Sequence, residues 1–99
     1  MELGIFLEFP VSEGGTEIEA FNDSFVLVNE AEKLGVDSLW LAEYHFSPGR
    51  VMASPIAILS NIAARTERIR LGTAVILLPL ANPVRVAEEV ATLDLVSGG

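Results

Sequence analysis

The stretch GVDSLWLAEYHF, Gly35 to Phe46, decides how the rest of the chain is read. A glycine, free to take a left-handed conformation, stops whatever helix precedes it. The apolar run Leu39 to Ala42 follows, too short for a helix, and passes without a polar warning into Glu43, Tyr44 and His45. Helix stop, buried strand and polar tip, in that order, mark a parallel α/β repeat, whose chemistry sits where strands hand over to helices.

Two more apolar runs flank this one, Leu3 to Phe9 and Ile69 to Leu78; Gly72 with the β-branched Thr73, Val75 and Ile76 favours strand in the second. Strands are therefore predicted over 3–9, 38–42 and 69–77, covered on both faces as in a helix-flanked parallel sheet. Helices are predicted over 17–34, 55–65 and 83–96. Thr16 with Glu19 fits a capping box for the first, whose apolar stripe runs through Ile18, Phe21, Phe25 and Val28 to a polar end at Glu32, although Asn22-Asp23-Ser24 is a competing start. Ser54 can cap the second, with Pro55 at its first position and Ile56, Leu59, Ile62 and Ala63 facing inward. Asn82-Pro83 repeats this start, with Val86, Ala87, Val90 and Leu93 on one face and Gly98-Gly99 beyond the end.

Ile5, Leu39 and Leu71 occupy comparable strand positions at a period of roughly 33 residues. Ankyrin repeats share that length but consist of two helices and a turn, so the apolar strands reject them. Right-handed crossovers make all three strands parallel with the helices outside, an α/β architecture βαβαβα. Such units build open parallel sheets and barrels alike; if they curl, 99 residues cover about three-eighths of a (βα)8 TIM barrel, which needs about 250 residues, and the barrel is incomplete in this chain. The chain ends at Ser97-Gly98-Gly99, a loop signal, and reads as the first segment of something longer. Curled as part of a barrel, the three strands would keep two open edges and exposed inward faces, so association through the sheet edges, or a homo-oligomer, is expected.

Composition narrows the partners. With 51% hydrophobic and 20% charged residues the 99-residue chain has ample apolar side chains to fold. A formal charge of −8 repels phosphate backbones and anionic lipid, which argues against nucleic-acid and membrane roles, and Arg65, Arg68 and Arg70 read as a solvated turn. No apolar stretch approaches the length of about 20 residues needed to span a bilayer, and no signal-peptide pattern opens the chain, so a soluble protein is expected. The absence of Cys removes thiolate nucleophiles and Cys-ligated zinc and is compatible with a cytoplasmic location.

Ligands of parallel sheets gather at the carboxyl ends of the strands. Glu43, Tyr44 and His45 stand there: imidazole can move a proton near pH 7, a carboxylate can fix its tautomer, and a phenol can donate to a developing oxyanion. The alternative is a hydrogen-bonded rim of structural value only. Strand alternation lets Glu43 and His45 share one side while Tyr44 takes the other, which disfavours a triad of all three. Gly72 to Ile76, small then branched, permits close approach of a flat ligand, or else Gly72 relieves helix–sheet crowding. Trp40 reads as core rather than as a cofactor stacker. No GxGxxG, P-loop or metal-binding histidine pair is present.

The segments GVDSLWLAEYHF (Gly35 to Phe46) and IRLGTAVILLPLANPVRVAEEVATLD (Ile69 to Asp94), with the closing SGG, resemble the N-terminal portion of the luciferase-like flavin-dependent monooxygenases. The resemblance covers nearly the whole chain and is weakest over Phe9 to Ser24. It implies a (βα)8 barrel that uses reduced FMN and dioxygen at the carboxyl ends of its strands, with Ala74 and Val75 in the place where the family has a non-prolyl cis peptide against the flavin ring. The bacterial luciferase α subunit has two successive histidines at the positions of Tyr44 and His45, the first catalytic; Tyr44 here puts light emission from an aldehyde in doubt. The family's phosphate-binding residues fall beyond Gly99.

The resemblance thus implies a fragment of an FMN-dependent monooxygenase acting on a small organic substrate, not competent alone, with Glu43, Tyr44 and His45 as catalytic candidates and Ala74 and Val75 as cofactor contacts. A deazaflavin-dependent oxidoreductase of the same fold is left open by these residues. The alternative of a different class is a catalytically silent βα module that self-associates.

Overall fold

The computed structural model describes residues Met1–Gly99. Three strands, β1 (Gly4–Leu7), β2 (Ser38–Leu41) and β3 (Arg70–Thr73), alternate with the helices α1 (Glu17–Lys33), α2 (Pro55–Ala63) and α3 (Pro83–Ser97); a 3₁₀ turn, Leu78–Leu80, precedes α3. The sheet is parallel in the order β1-β2-β3. Its register sets Ile5, Leu39 and Leu71 side by side, the three positions that carry the sequence period. The chain is the N-terminal three βα units of a (βα)8 barrel.

Local chemistry accounts for the helix ends. The Thr16 hydroxyl accepts the Glu19 N–H at 3.2 Å while the Glu19 carboxylate accepts the Thr16 N–H at 2.7 Å, the expected capping box. Gly35 follows α1 with φ 84°, a value that only a residue without Cβ takes freely. Asn82 Oδ1 accepts the N–H groups of Val84 and Arg85 at the start of α3. Ser54 departs from expectation: it precedes α2, but its side chain makes no capping bond, and Pro55 alone begins that helix.

The expectation of strands covered on both faces holds for one face only. Val28, Leu39, Leu41, Met52 and Ile62 are fully buried between the sheet and the helices, each worth about 1.5–3 kcal/mol of transfer free energy. Phe9 joins them, with Phe21 and Phe25 packed edge-on at 5.6 Å. On the other face Phe6 and Trp40 are 50% and 44% exposed. Trp40 is therefore not core, because the face that three strands of a barrel turn inward has no layer over it here.

Other expectations shift with this packing. Ile18 is 74% exposed, and Ala20, Ser24 and Ala31 take its place in the buried stripe of α1, since small residues let the helix lie close to the sheet. Gly72 relieves no helix crowding: a Cβ there would stand 2.6 Å from the Trp40 ring, so the glycine makes room for that indole, whose Nε1–H donates to Ser38 Oγ at 3.1 Å. The strand expected over 69–77 ends at Thr73, and the one expected over 3–9 covers only Gly4–Leu7. Beyond these ends the backbone turns to build the rim described next.

Candidate functional site

The rim at the carboxyl end of the sheet is held by backbone first. The Ala74 N–H donates to Leu41 O at 2.7 Å, carrying the β2–β3 ladder one residue past the strand. Ala74-Val75 is a cis peptide bond, and Val75 is 58% exposed. The loop after β2 returns over β1: the Tyr44 N–H donates to Met52 O, the Val51 N–H to Phe9 O and the Val11 N–H to Gly49 O.

The side chains of Glu43, Tyr44 and His45 divide into two groups on this frame. Glu43, its side chain 9% exposed, accepts the Leu77 N–H on Oε2 at 2.7 Å and holds His45 Nε2 with Oε1 at 2.6 Å. One carboxylate thus ties the tip of β2 to the loop that carries Ala74 and Val75. Tyr44 turns elsewhere. Its hydroxyl donates to Glu8 Oε1 at 2.5 Å, Arg50 Nε donates to Glu8 Oε2 at 3.4 Å, and the guanidinium lies 4.9 Å from the centre of the Tyr44 ring. Tyr44 also lines a cleft of about 960 Å³ with Phe21, Phe25, Phe46 and Met52, to which residues 74–77 contribute nothing. The structure brings Glu43 and His45 together and sets Tyr44 apart, the division expected, although β2 ends at Leu41 and it is the following loop that carries all three.

The charges follow these contacts. The hydrogen bond from Tyr44, with the charge and hydrogen bond of Arg50, holds the Glu8 carboxyl below the usual carboxylate range, although burial works against it. The same bond to Glu8 raises the Tyr44 hydroxyl above the ordinary tyrosine value, helped by burial and the Glu8 charge. Glu8 is the rim residue that reading the sequence missed. Its one signal is a carboxylate inside the otherwise apolar run Leu3 to Phe9.

The basic residues lie at the surface, each with a partner from the chain. Arg68 donates to Glu32 O and Val36 O, Arg70 pairs with Glu2 at 2.8 Å, and Arg65 donates to Asn61 and lies 4.5 Å from the Phe25 ring centre. Arg65, Arg68 and Arg70 are exposed, as expected of a solvated turn, and each also has a partner within the chain. Lys33, Arg50 and Arg85 are likewise paired with Glu30, Glu8 and Glu89. No helix is long and apolar enough to cross a membrane.

Comparison with known proteins bears on this geometry. A family model described as luciferase-like monooxygenase matches residues 1–99. The chain is 36% identical over 90 residues to a luciferase-like monooxygenase of Escherichia coli K12, covering 91% of this chain and 27% of that protein. Among solved structures, apo-MsnO8 superposes with a TM-score of 0.92 at 33% identity, covering 97% of this chain and 29% of that one. The oxygenating constituent of 3,6-diketocamphane monooxygenase from the CAM plasmid of Pseudomonas putida, a type II Baeyer–Villiger monooxygenase in complex with FMN, superposes with a TM-score of 0.89 over 98% of this chain and 27% of that one; at 21% identity it shares the fold. The chain spans 25–30% of the length of the curated relatives it matches first.

Proposed function

The chain belongs to the luciferase-like monooxygenase family, and from that membership we propose that its rim forms one wall of a flavin site, in a protein that uses reduced FMN and dioxygen on a small organic substrate. The observation that carries the reading is the bond from the Leu77 N–H to Glu43, which also holds His45 and so joins this pair to the loop of Ala74 and Val75. FMN in the 3,6-diketocamphane enzyme, a protein of this fold, supports the choice of cofactor.

The residues fit the ring of such a group better than its phosphate. Ala74 and Val75 are exposed and apolar at the sheet tip, a surface for a flat ring, and Val75 would pack against it. The basic side chain at the rim, Arg50, is paired with Glu8 and lies over the Tyr44 ring, so in this reading the phosphate is held by other residues. Bound reduced flavin supplies the electrons that activate dioxygen. The chain's own part is to orient the ring through Ala74 and Val75, and to move a proton at the rim through Tyr44 or His45, with Glu43 fixing the imidazole. The same reading takes the protein as cytoplasmic, without membrane or nucleic-acid partners, and is supported by the absence of Cys and the formal charge of −8.

Flavin fluorescence titration tests this. The 99-residue chain is expected to bind FMN weakly, with Kd of about 10 μM or higher, because affinity resting on one wall lacks the phosphate contacts. Val75→Glu should weaken it further; submicromolar binding, or binding indifferent to Val75→Glu, contradicts the proposal. A parallel titration with a deazaflavin decides between the two cofactors. The second reading, a silent module that self-associates, draws on the exposed Phe6 and Trp40 and the unpaired outer edges of β1 and β3. Sedimentation velocity should show dimers or larger species at high concentration, and a sharp monomer boundary there would exclude it.

A further inference from the structure

We propose that the proton-handling atom of the rim is Nδ1 of His45, and that Tyr44 is a positioning residue whose single hydroxyl proton is committed to Glu8. This rests on the flavin-rim reading above and decides between the two residues that it leaves open.

The assignment follows from counting donors and acceptors. An ionised carboxylate only accepts, so the ring nitrogen 2.6 Å from Glu43 Oε1 must carry the hydrogen, and that nitrogen is Nε2. Glu43 cannot swing away freely, because its other oxygen holds the Leu77 N–H and its side chain is only 9% exposed. When the ring is neutral, this contact selects the Nε2–H tautomer and leaves a lone pair on Nδ1. The imidazole is 31% exposed and its one hydrogen-bond partner is Glu43, on Nε2, so Nδ1 is left without a partner in a side chain that a ligand can reach. Proton transfer then balances simply. A substrate X–H bond breaks, the proton goes to Nδ1, the electron pair stays on X, and the imidazolium is stabilised by Glu43 until it returns the proton.

Tyr44 meets the opposite condition. A phenol has one O–H, and here it points to Glu8 Oε1, a carboxylate that has no proton of its own to offer. Arg50 Nε donates to the other oxygen of Glu8, and its guanidinium covers the Tyr44 ring. The hydroxyl has no second proton for a developing oxyanion, so the role that a phenol suggests in the sequence is closed to it. What Tyr44 does is join the tips of β1 and β2, through Glu8, beside the cleft bordered by Phe21, Phe25 and Met52.

The chain contains one histidine and one tyrosine, which makes both halves readable without flavin. Long-range ¹H–¹⁵N spectra of the 99-residue chain above pH 8 should show Nε2 protonated and Nδ1 as a bare acceptor, with that preference lost in Glu43→Ala. A dominant Nδ1–H tautomer, or a tautomer ratio unmoved by Glu43→Ala, overturns the His45 assignment. Alkaline titration of the tyrosinate absorbance should move to a lower midpoint in Glu8→Gln; no movement overturns the Tyr44 assignment. In flavin reoxidation by the protein that carries this chain, His45→Ala should lose at least tenfold more rate than Tyr44→Phe, and the reverse order overturns the proposal. Because the two spectroscopic measurements use no cofactor, they can succeed where the FMN titration fails, in which case the flavin reading alone falls.

Discussion

The two ends of the sheet use the same kinds of residue to opposite effect. At the amino end Glu32 accepts the N–H groups of Glu67 and Arg68 on one oxygen and that of Ile69 on the other, Arg68 donates to two carbonyls, and Asp37 accepts the Leu3 N–H. Each of these groups spends its hydrogen bonds on backbone, leaving little for a ligand. At the carboxyl end Glu43 gives one oxygen to backbone and the other to an imidazole that retains a second nitrogen. A buried-looking carboxylate is thus a staple or part of a site according to what its partners have left to offer, and the residue type does not decide which.

The largest effect should come from breaking the staple. Glu32→Ala leaves three backbone donors without their acceptor, and bonds to a charged group are worth about 1.5–3 kcal/mol, so a loss of about 2–3 kcal/mol in urea unfolding is expected. Glu43→Ala, which frees one backbone donor, should cost less. Equal costs, or the reverse order, would erase the distinction between the two ends.

Acid sharpens the same contrast. Burial raises the Glu32 carboxyl, but the N–H groups of Glu67, Ile69 and Arg68 outweigh it, and the Arg68 charge adds to them, so its pKa is lowered overall. A carboxyl lowered by folding contributes stability that is complete above its unfolded value of about 4.3 and is lost as pH falls through the folded one. Stability measured against pH should therefore fall less steeply below about pH 4.5 in Glu32→Gln than in the parent, a comparison of slopes and not of absolute stability. An unchanged acid slope would mean that the staple titrates as an ordinary surface carboxylate.

Between the two ends, Gly72→Ala probes the open face. Its Cβ would stand 2.6 Å from Trp40 ring atoms, so the indole must swing out and give up Ser38, at a cost of about 1 kcal/mol. With a single tryptophan in the chain, the emission should move to longer wavelength. An unshifted spectrum would show that Trp40 can clear the glycine without leaving its place.

What could be read in the sequence divides along the same line. Gly35, the Thr16–Glu19 box and the spacing of Ile5, Leu39 and Leu71 act through bonds or positions close along the chain, so the architecture was legible. Glu32 reads only as the polar end of an apolar stripe, and Arg68 as a solvated turn, because their partners lie 32 to 37 residues away. Glu8 was hidden for the same reason, 36 residues from Tyr44. Trp40 misled because periodicity shows that a position is apolar without showing whether a second layer covers it. Glu43 and His45 were legible as a pair because a two-residue spacing suffices to bring them together.

The smallest effect on stability should be that of Tyr44→Phe. The ring keeps its place beside Phe21, Phe25 and Met52, and only the bond to Glu8 is lost, between side chains that water largely screens. The denaturation midpoint at pH 7 should move much less than in Glu32→Ala. At high pH the sign is fixed by the raised Tyr44 value: a group raised by folding contributes stability below its unfolded pKa, near 10, and loses it as pH rises through the folded one. Tyr44→Phe should therefore converge with the parent above that range while falling slightly below it at neutral pH. If the gap widens with pH instead, the Tyr44–Glu8 bond is not what holds the carboxyl rim, and the strut must be sought in the backbone bridges between residues 9–11 and 49–51.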